Sequence, residues 1–249
     1  MNIDRAALKN QARGVIHNSN PKVIYAGLLY LALCILVNFL SIRLLGVGFT
    51  EENLTQYMQH IENGNLDYAI EYLRSLSPAP SAYFIDLAMQ IVSTVVSVGF
   101  VIFLLNTIRG AAACFGNLLD GFGIFFRIIL LSLLQWLFIT LWTLLFIVPG
   151  IIAAYRYRQA TYIMLDHPEM SVLKCISESK RMMKGHKWEL FVLDLSFIGW
   201  SFLALIPYIG YAVQVWTLPY ISTTLALYYE ALRTAPSADD AGGSAPFRV

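Results

Sequence analysis

Charge is scarce in this sequence, and this scarcity already excludes several classes of protein. Only 13% of the 249 residues are charged, about half of the roughly 25% that is typical of soluble domains. The formal net charge is +1, without the basic face that nucleic-acid-binding domains require. Hydrophobic residues make up 57% of the chain. A soluble protein of this size could not bury so much apolar surface, and a disordered chain has the opposite bias.

Catalytic and metal-binding signatures are missing as well. The three cysteines, Cys34, Cys114 and Cys175, form no CxxC pair, so we interpret them as reduced structural thiols. The four histidines lie outside the apolar runs, and there is no H-E-x-x-H helix, G-x-S-x-G elbow or P-loop. We therefore predict no catalytic residue, no metal site, no cofactor and no enzymatic activity.

The sequence does contain a series of long apolar runs. A hydrocarbon core about 30 Å thick requires about 20 apolar residues per helix, and five runs meet or approach that length. A sixth stretch, Ile151–Leu165, is shorter and carries two arginines. The predicted fold is all-α, a polytopic transmembrane bundle that forms a single domain over residues 23–233. The six predicted spans lie near 23–42, 83–108, 128–148, 151–165, 190–206 and 208–232.

The distribution of positive charge predicts the orientation of these spans. Segment 46–82 has one Arg, no Lys and five acidic residues, whereas 1–22 has four basic residues. We therefore place 46–82 outside the plasma membrane, and we place 1–22, the loops 109–127 and 166–189, and both termini in the cytoplasm. The basic residues of the second loop that we expect to contact anionic lipid headgroups are Lys174, Lys180, Arg181, Lys184 and Lys187.

The stretch 150–165 must cross the membrane if this orientation is correct. The span 128–148 leaves the cytoplasm, and the Lys-rich loop that follows at 166–189 lies in the cytoplasm again. Pro149-Gly150 is the predicted turn, and a helix of sixteen residues, about 24 Å long, is sufficient where the bilayer thins. The alternative is a five-span protein in which 150–165 is a kinked continuation or a re-entrant segment.

Three segments outside the spans also have recognisable patterns. Residues 1–22 contain a short amphipathic helix that either lies on an anionic membrane face or is solvated, and it ends near Asn18. In 50–77, apolar residues recur at near-helical spacing on both sides of Asn63-Gly64-Asn65, which predicts an external insert of two amphipathic helices. These helices would cover the bundle or form a lid over a ligand. The tail 234–249 is predicted to be disordered.

Polar side chains within the spans are the candidates for a functional site. Asp86 and Gln90 lie four residues apart on one face of the second span, and Gln135 lies on a polar face of the third. Such groups either line a polar path or join helices through hydrogen bonds worth about 0.6 kcal/mol each.

Two arginines are the most costly residues in the six-span arrangement. An Arg near the centre of a spanning helix is penalised by about 2.5–3.5 kcal/mol, so Arg156 and Arg158 each need a partner or an interfacial position. Asp194 is the first candidate partner, and Glu189 and Asp86 are others. Two residues apart on a helix, the arginines point about 200° apart and cannot share one partner. They form a structural ion pair, lie at the interface, bind an anion or headgroup, or belong to an ion-coupled relay. The candidate intramembrane polar site therefore consists of Asp86, Gln90, Gln135, Arg156, Arg158 and Asp194.

Four blocks of the sequence carry a family resemblance, namely "RAALKNQARGVIHNSNP", "RGAAACFGNLLDGFG", "SESKRMMKGHKWELFVLDLSFIGW" and "LPYISTTLALYYEAL". Through them the chain resembles the bacterial integral membrane family called domain of unknown function 975, except in the external insert and the tail. The resemblance implies a multi-pass membrane protein and assigns no functional residue. The family is more distantly similar to the membrane portion of some glycerophosphodiester phosphodiesterases, whose catalytic domain has no counterpart here.

Two hypotheses of function follow. The first is a non-catalytic membrane protein, either a transport or permease-type component or an accessory or scaffold subunit; the alternative is a lipid-handling enzyme partner. A transporter requires a water-accessible cavity reached by Asp86, Gln90, Gln135 and Asp194. An accessory subunit instead has those side chains engaged in protein contacts, and an enzyme needs convergent carboxylates or a metal.

Overall fold

A computed structural model describes residues 4–45, 51–75, 80–204, 206 and 209–234. All regular structure in these ranges is helical, as predicted, and the predicted disordered tail lies almost wholly outside them. The described helices are α1 (Arg5–Asn18), α2 (Val23–Leu45), α3 (Glu51–Glu62), α4 (Leu66–Ser75), α5 (Pro80–Ile108), α6 (Asn117–Asp120), a 3₁₀ helix (Gly121–Ile124), α7 (Phe125–Leu145), α8 (Ile147–Tyr157), α9 (Ala160–Asp166), α10 (Val172–Met182), α11 (Lys187–Leu195), α12 (Ile198–Leu203) and α13 (Ile209–Thr234).

The chain divides into two compact units. Leu31–Thr94 forms the smaller unit, and the residues up to Tyr30 together with those from Val95 onward form the larger one. The division falls within α2 and α5, so each of these long helices contributes to both units. All of the helices from α6 to α13 belong to the larger unit.

Three described helical segments are long and apolar enough to cross a membrane, judged by length and composition: Val23–Leu44, Ala82–Ile108 and Asn117–Leu145. They overlap the first three predicted spans, although the third segment begins at Asn117 rather than near residue 128. The described part of the chain is therefore all-helical and compatible with membrane insertion, whereas the count of six spans is not confirmed.

The stretch 150–165 is not the single helix of sixteen residues that the sequence predicts. α8 ends at Tyr157 and α9 begins at Ala160. The predicted span 190–206 is similarly divided between α11 and α12. The break between α11 and α12 has no hydropathy signature, because Ser196-Phe197 is flanked by apolar residues, whereas the break between α8 and α9 falls at the polar pair Arg158-Gln159.

The turn between α7 and α8 lies at Phe146 rather than at the predicted Pro149-Gly150. Phe146 has an extended backbone, with φ −159° and ψ 150°. Pro149 instead lies in the first turn of α8, where a missing N–H removes no helical hydrogen bond. Gly150 allows α8 to fold back closely on α7, because a Cβ there would lie 2.1 Å from Thr143 Oγ1.

The N-terminal amphipathic helix is present, but protein covers its apolar face. The Asp4 carboxylate caps α1 by accepting hydrogen bonds from the N–H groups of the first turn. Leu8, Ala12 and Ile16 are buried where α1 packs on α13. The Lys9 ammonium also lies 4.5 Å from the centre of the Phe197 ring. This face therefore contacts α13, and neither a membrane surface nor solvent covers it.

The insert contains the two predicted amphipathic helices, α3 and α4. Asn63-Gly64-Asn65 joins them, and Gly64 has a φ of +72°, a conformation that favours glycine. The two helices pack on each other through Tyr72, whose hydroxyl donates a hydrogen bond to Gln56 Oε1 at 2.7 Å. Leu66 and Tyr68 are more than 60% exposed, so this pair of helices leaves part of its apolar surface uncovered.

Candidate functional site

Arg158 and Asp194 form the ion pair that the sequence analysis expects. Arg158 Nη1 lies 2.7 Å from Asp194 Oδ2, and the Tyr155 hydroxyl donates a hydrogen bond to the same oxygen at 3.1 Å. Tyr155 belongs to α8 and Asp194 to α11, so these contacts join two helices that are distant in sequence. The charge of Arg158 is neutralised within the protein.

Arg156 takes part in a different contact, through its backbone. Its carbonyl accepts a hydrogen bond from Ser179 Oγ at 2.8 Å, and the same Oγ accepts one from the Gln159 N–H at 3.1 Å. Ser179 lies on α10 and is fully buried. One hydroxyl thus satisfies two of the backbone groups left open by the break between α8 and α9. The Arg156 side chain is half-buried, and the described residues provide no ion pair for it.

Gln135 is also engaged in a helix–helix contact. Its Nε2 donates a hydrogen bond to the Tyr157 carbonyl at 2.8 Å, which joins α7 to the last residue of α8. Phe138, one turn further along α7, packs its ring 6.0 Å from that of Tyr157. Gln135 therefore serves the packing of the α7–α8 hairpin.

Asp86 and Gln90 lie in the smaller unit. The Asp86 carboxylate accepts a hydrogen bond from Ser41 Oγ at 3.1 Å, which joins α5 to α2 within that unit. The Gln90 side chain is exposed. The other four candidate residues belong to the larger unit, and only Arg158 and Asp194 are brought into direct contact with each other.

A larger cluster of charged residues was missed by the sequence analysis. The Asp166 carboxylate, 6% exposed, accepts two hydrogen bonds from Arg109, at 2.8 and 2.9 Å, and one from Arg233 at 3.0 Å. The Tyr229 hydroxyl donates a fourth at 2.7 Å. Arg109 Nε also donates to Glu230 Oε1 at 2.7 Å. We call these five residues the Asp166 cluster.

Hydrogen bonding outweighs burial in setting the ionisation of this cluster. Burial alone would raise the pKa of Asp166, but the hydrogen bonds from Arg109, Tyr229 and Arg233 hold that pKa below its usual value. Burial would likewise lower the pKa of Arg109, yet the carboxylates of Asp166 and Glu230 raise it. Asp166 is therefore ionised at neutral pH, and the cluster is a network of opposite charges.

The position of each member along the chain explains why the cluster was missed. Arg109, Asp166 and Arg233 each follow directly after the last apolar residue of a predicted span, so each looks like an ordinary flanking charge. The signal available in the sequence was that these flanking residues carry charges of opposite sign. Arg127, just before the third predicted span, makes a related contact by donating to the backbone carbonyls of Pro168 and Met170.

An apolar groove of about 450 Å³ lies in the larger unit, between α8 and α11. Its lining contains one charged side chain, that of Lys187, and none of the six candidate residues. The groove is lined by Val148, Ile151, Ile152, Tyr155, Gly185, Lys187, Trp188 and Phe191. Within the described part of the chain, no three His, Cys, Asp or Glu side chains are arranged to hold a metal ion.

Residues 143–236 match the family described as "Protein of unknown function (DUF975)". The match extends from the end of α7 to just beyond α13, and so it includes Asp166, Asp194 and the groove. No curated protein and no solved structure matches the chain. The family resemblance is therefore confirmed over residues 143–236, and the link to glycerophosphodiester phosphodiesterases has no support from these matches.

Proposed function

We propose that this member of the DUF975 family is a non-catalytic, multi-pass membrane protein that acts as an accessory or scaffold subunit. The observation that carries the proposal is that polar side chains of the apolar helices are engaged with other helices. Asp86 is bonded by Ser41, Gln135 bonds a carbonyl of α8, and Asp194 is paired with Arg158. Such contacts hold helices together in a membrane.

A transport role has less support from the same residues. Ionisable groups on a solute pathway face a water-filled cavity, whereas the groove between α8 and α11 is mostly apolar and includes none of the six candidates. The α7 segment also has little protein cover, since 11% of its apolar stretch is buried against 44% for Ala82–Ile108. An apolar helix face left open in this way suits contact with lipid or with a partner subunit.

We further propose six spans with both termini in the cytoplasm of a bacterial cell. The Asp166 cluster supports this topology, because Arg109, Asp166 and Arg233 follow the apolar stretches of α5, α9 and α13 and are in direct contact. The ends of these three helices lie together, as a topology with all three ends on one side of the membrane requires. Arg127 precedes α7 and bonds carbonyls just beyond α9, which supports a return of the chain across the membrane through α8 and α9.

Two of the six spans would then consist of broken helices, α8 with α9 and α11 with α12. Breaks are tolerated within a membrane where the freed backbone groups find partners inside the protein, as Ser179 provides between α8 and α9. In this topology the Lys-rich loop faces the anionic headgroups of the inner leaflet. Its basic residues are Lys174, Lys180, Arg181, Lys184 and Lys187.

Cysteine accessibility along residues 86–97 tests the functional proposal. Single cysteines are introduced into a variant in which Cys34, Cys114 and Cys175 are replaced by Ala, and membranes are treated with a water-soluble maleimide. A scaffold helix is expected to be protected throughout. Labelling that recurs at 86, 90, 93 and 97 would show a water-filled path along one face and would contradict the proposal. A cysteine at position 60, which is partly exposed in the predicted external insert, is the positive control.

The topology has its own test with an impermeant reagent on intact cells. A cysteine at position 60 is expected to react, and a cysteine at position 184 is expected to react only after the cells are opened. Modification of position 60 by a reagent confined to the cytoplasm would reverse the orientation. This outcome would leave the contacts that support the scaffold role unchanged.

A further inference from the structure

We infer that the groove between α8 and α11 is a binding site for an anionic phospholipid, with an acyl chain in the groove and the phosphate at Lys187. The inference goes beyond the scaffold proposal, since a scaffold needs no bound lipid. It rests on the shape of the groove, on the character of its walls and on the charges at its rim.

The groove has the size and the lining of a site for an apolar ligand. Its volume of about 450 Å³ lies within the range of about 300–1,000 Å³ that is usual for ligand pockets. One wall is a single face of α8, formed by residues at positions i, i+3, i+4 and i+7. On this wall Val148 is 65% exposed, Ile151 is 49% exposed and Ile152 is 43% exposed. These side chains have an apolar surface that the described chain leaves uncovered.

Aromatic rings that support one another form the opposite wall. Trp188 stacks on Phe191 with 5.2 Å between ring centres, and Phe191 meets Tyr155 edge to face at 5.9 Å. The Tyr155 hydroxyl is itself fixed by Asp194. The rings are therefore held in place without a ligand, which lowers the entropy cost of binding a flexible acyl chain. Trp188 is 71% exposed, and Trp is typical of the level where acyl chains meet headgroups.

The charge at the rim selects the kind of lipid. The carboxylates of α11 have partners other than Lys187: Glu189 is hydrogen-bonded to His186 Nδ1 at 2.8 Å, and Asp194 forms an ion pair with Arg158. Lys187 is half-buried and has no ion pair in the described ranges of the chain. The rim thus offers one unneutralised positive charge beside an apolar groove, and this complements a lipid whose phosphate group carries net negative charge.

Lipid retention in detergent tests this inference. The purified full-length protein is incubated with equimolar phosphatidylglycerol and phosphatidylcholine that carry identical acyl chains, and the bound lipid is measured by native mass spectrometry. We expect phosphatidylglycerol to be retained about tenfold more, a ratio that corresponds to about 1.4 kcal/mol. Equal retention of the two lipids would overturn the inference.

Two substitutions test separately how the headgroup and the acyl chain contribute to lipid binding. Lys187→Gln is expected to abolish the preference for phosphatidylglycerol. Arg74→Gln, which removes an exposed basic residue of α4 outside both the groove and the Lys-rich loop, is expected to keep it. Ile152→Trp fills the groove and is expected to reduce retention of both lipids. An unchanged preference in Lys187→Gln would refute the role of that side chain, whether or not the Trp variant folds.

A competition experiment distinguishes lipid from free phosphate. Inorganic phosphate in excess is expected to leave phosphatidylglycerol bound, because the apolar groove contributes binding that phosphate cannot replace. Displacement by phosphate alone would show that the acyl chain adds nothing and would overturn the assignment of the groove. Neither result alters the cysteine labelling on which the scaffold proposal depends, so the two proposals fail separately.

Discussion

Replacing Asp166 by Asn removes the negative charge that two arginines share at the ends of three helices. The substitution keeps the size of the side chain, and one oxygen can still accept hydrogen bonds. What it removes is the charge that neutralises Arg109 and Arg233, together with one of the two oxygens that bind the Arg109 guanidinium in a bidentate manner. Glu230 remains as a partner for both arginines.

The expected loss of stability follows from burial. Breaking a buried ion pair by removing one partner costs about 3–5 kcal/mol. The Asp166 side chain is only 6% exposed, but those of Arg109 and Arg233 are 30% and 46% exposed. Water can therefore hydrate the two guanidinium groups and replace part of the interaction lost with the carboxylate. We therefore expect a loss of about 2–3 kcal/mol, within the range for hydrogen bonds to charged groups. At about 2–4 °C per kcal/mol for a chain of this size, the melting temperature should fall by about 4–12 °C.

Thermal unfolding in detergent, with Glu169→Gln as the matched control, measures this difference. Glu169 is also an acidic residue near the end of α9, but its side chain is 72% exposed and contacts only His167 among the ion pairs described. Exposed pairs of this kind contribute about 0–1 kcal/mol. Equal melting temperatures for Asp166→Asn and Glu169→Gln would refute the view that the Asp166 cluster holds the helix ends together.

The same measurement at several pH values checks the sign of the effect. The pKa of Asp166 in the folded protein lies below its value in the unfolded chain, which is about 3.9. The contribution of its charge is therefore complete above the unfolded pKa and is lost as the pH falls through the folded pKa. The difference between wild type and Asp166→Asn should be constant near neutral pH and should shrink below about pH 4.

Two matched pairs of substitutions probe packing within the larger unit by the same unfolding assay. Gly99→Ala should lower the free energy of unfolding by about 3 kcal/mol or more, because its Cβ would lie 2.0 Å from the Leu118 carbonyl oxygen. Gly123→Ala, whose Cβ would meet open space, should be nearly neutral. Similar losses of stability for both substitutions would contradict the close approach at Gly99. Thr223→Val removes a buried hydroxyl with no partner in the described residues and should stabilise the protein by about 1 kcal/mol. Thr224→Val loses a hydrogen bond of 2.7 Å and should destabilise the protein by about 0.5–1.5 kcal/mol. Destabilisation of equal size by both substitutions would show that the Thr223 hydroxyl has a partner.

Local patterns were sufficient to predict much of the helical structure. The apolar runs that become α2, α5 and α7 were found because length and hydropathy are properties of one continuous segment. The two helices of the insert were found in the same way, since their apolar spacing stops and restarts around Gly64. The pairing of Arg158 with Asp194 could be expected from charge alone, because a charge in an apolar segment needs a partner of opposite sign.

Tertiary contacts decided the features that the sequence analysis missed. The break between α8 and α9 depends on Ser179, a hydroxyl from another helix that satisfies the open backbone groups, and no local pattern reports such a contact. The apolar face of α1 was visible in the sequence, but whether α13 or a membrane surface covers it is a question of packing.

The Asp166 cluster illustrates the same division between local and long-range information. The sequence alone determines that Arg109, Asp166 and Arg233 each follow an apolar run, and hydropathy establishes that apolar surface must be removed from water. Only the packing of α5, α9 and α13 brings these three residues within hydrogen-bond distance of one another. The physical reason is that hydrophobicity depends on the composition of each segment, whereas an ion pair requires a specific geometry between segments that are far apart along the chain.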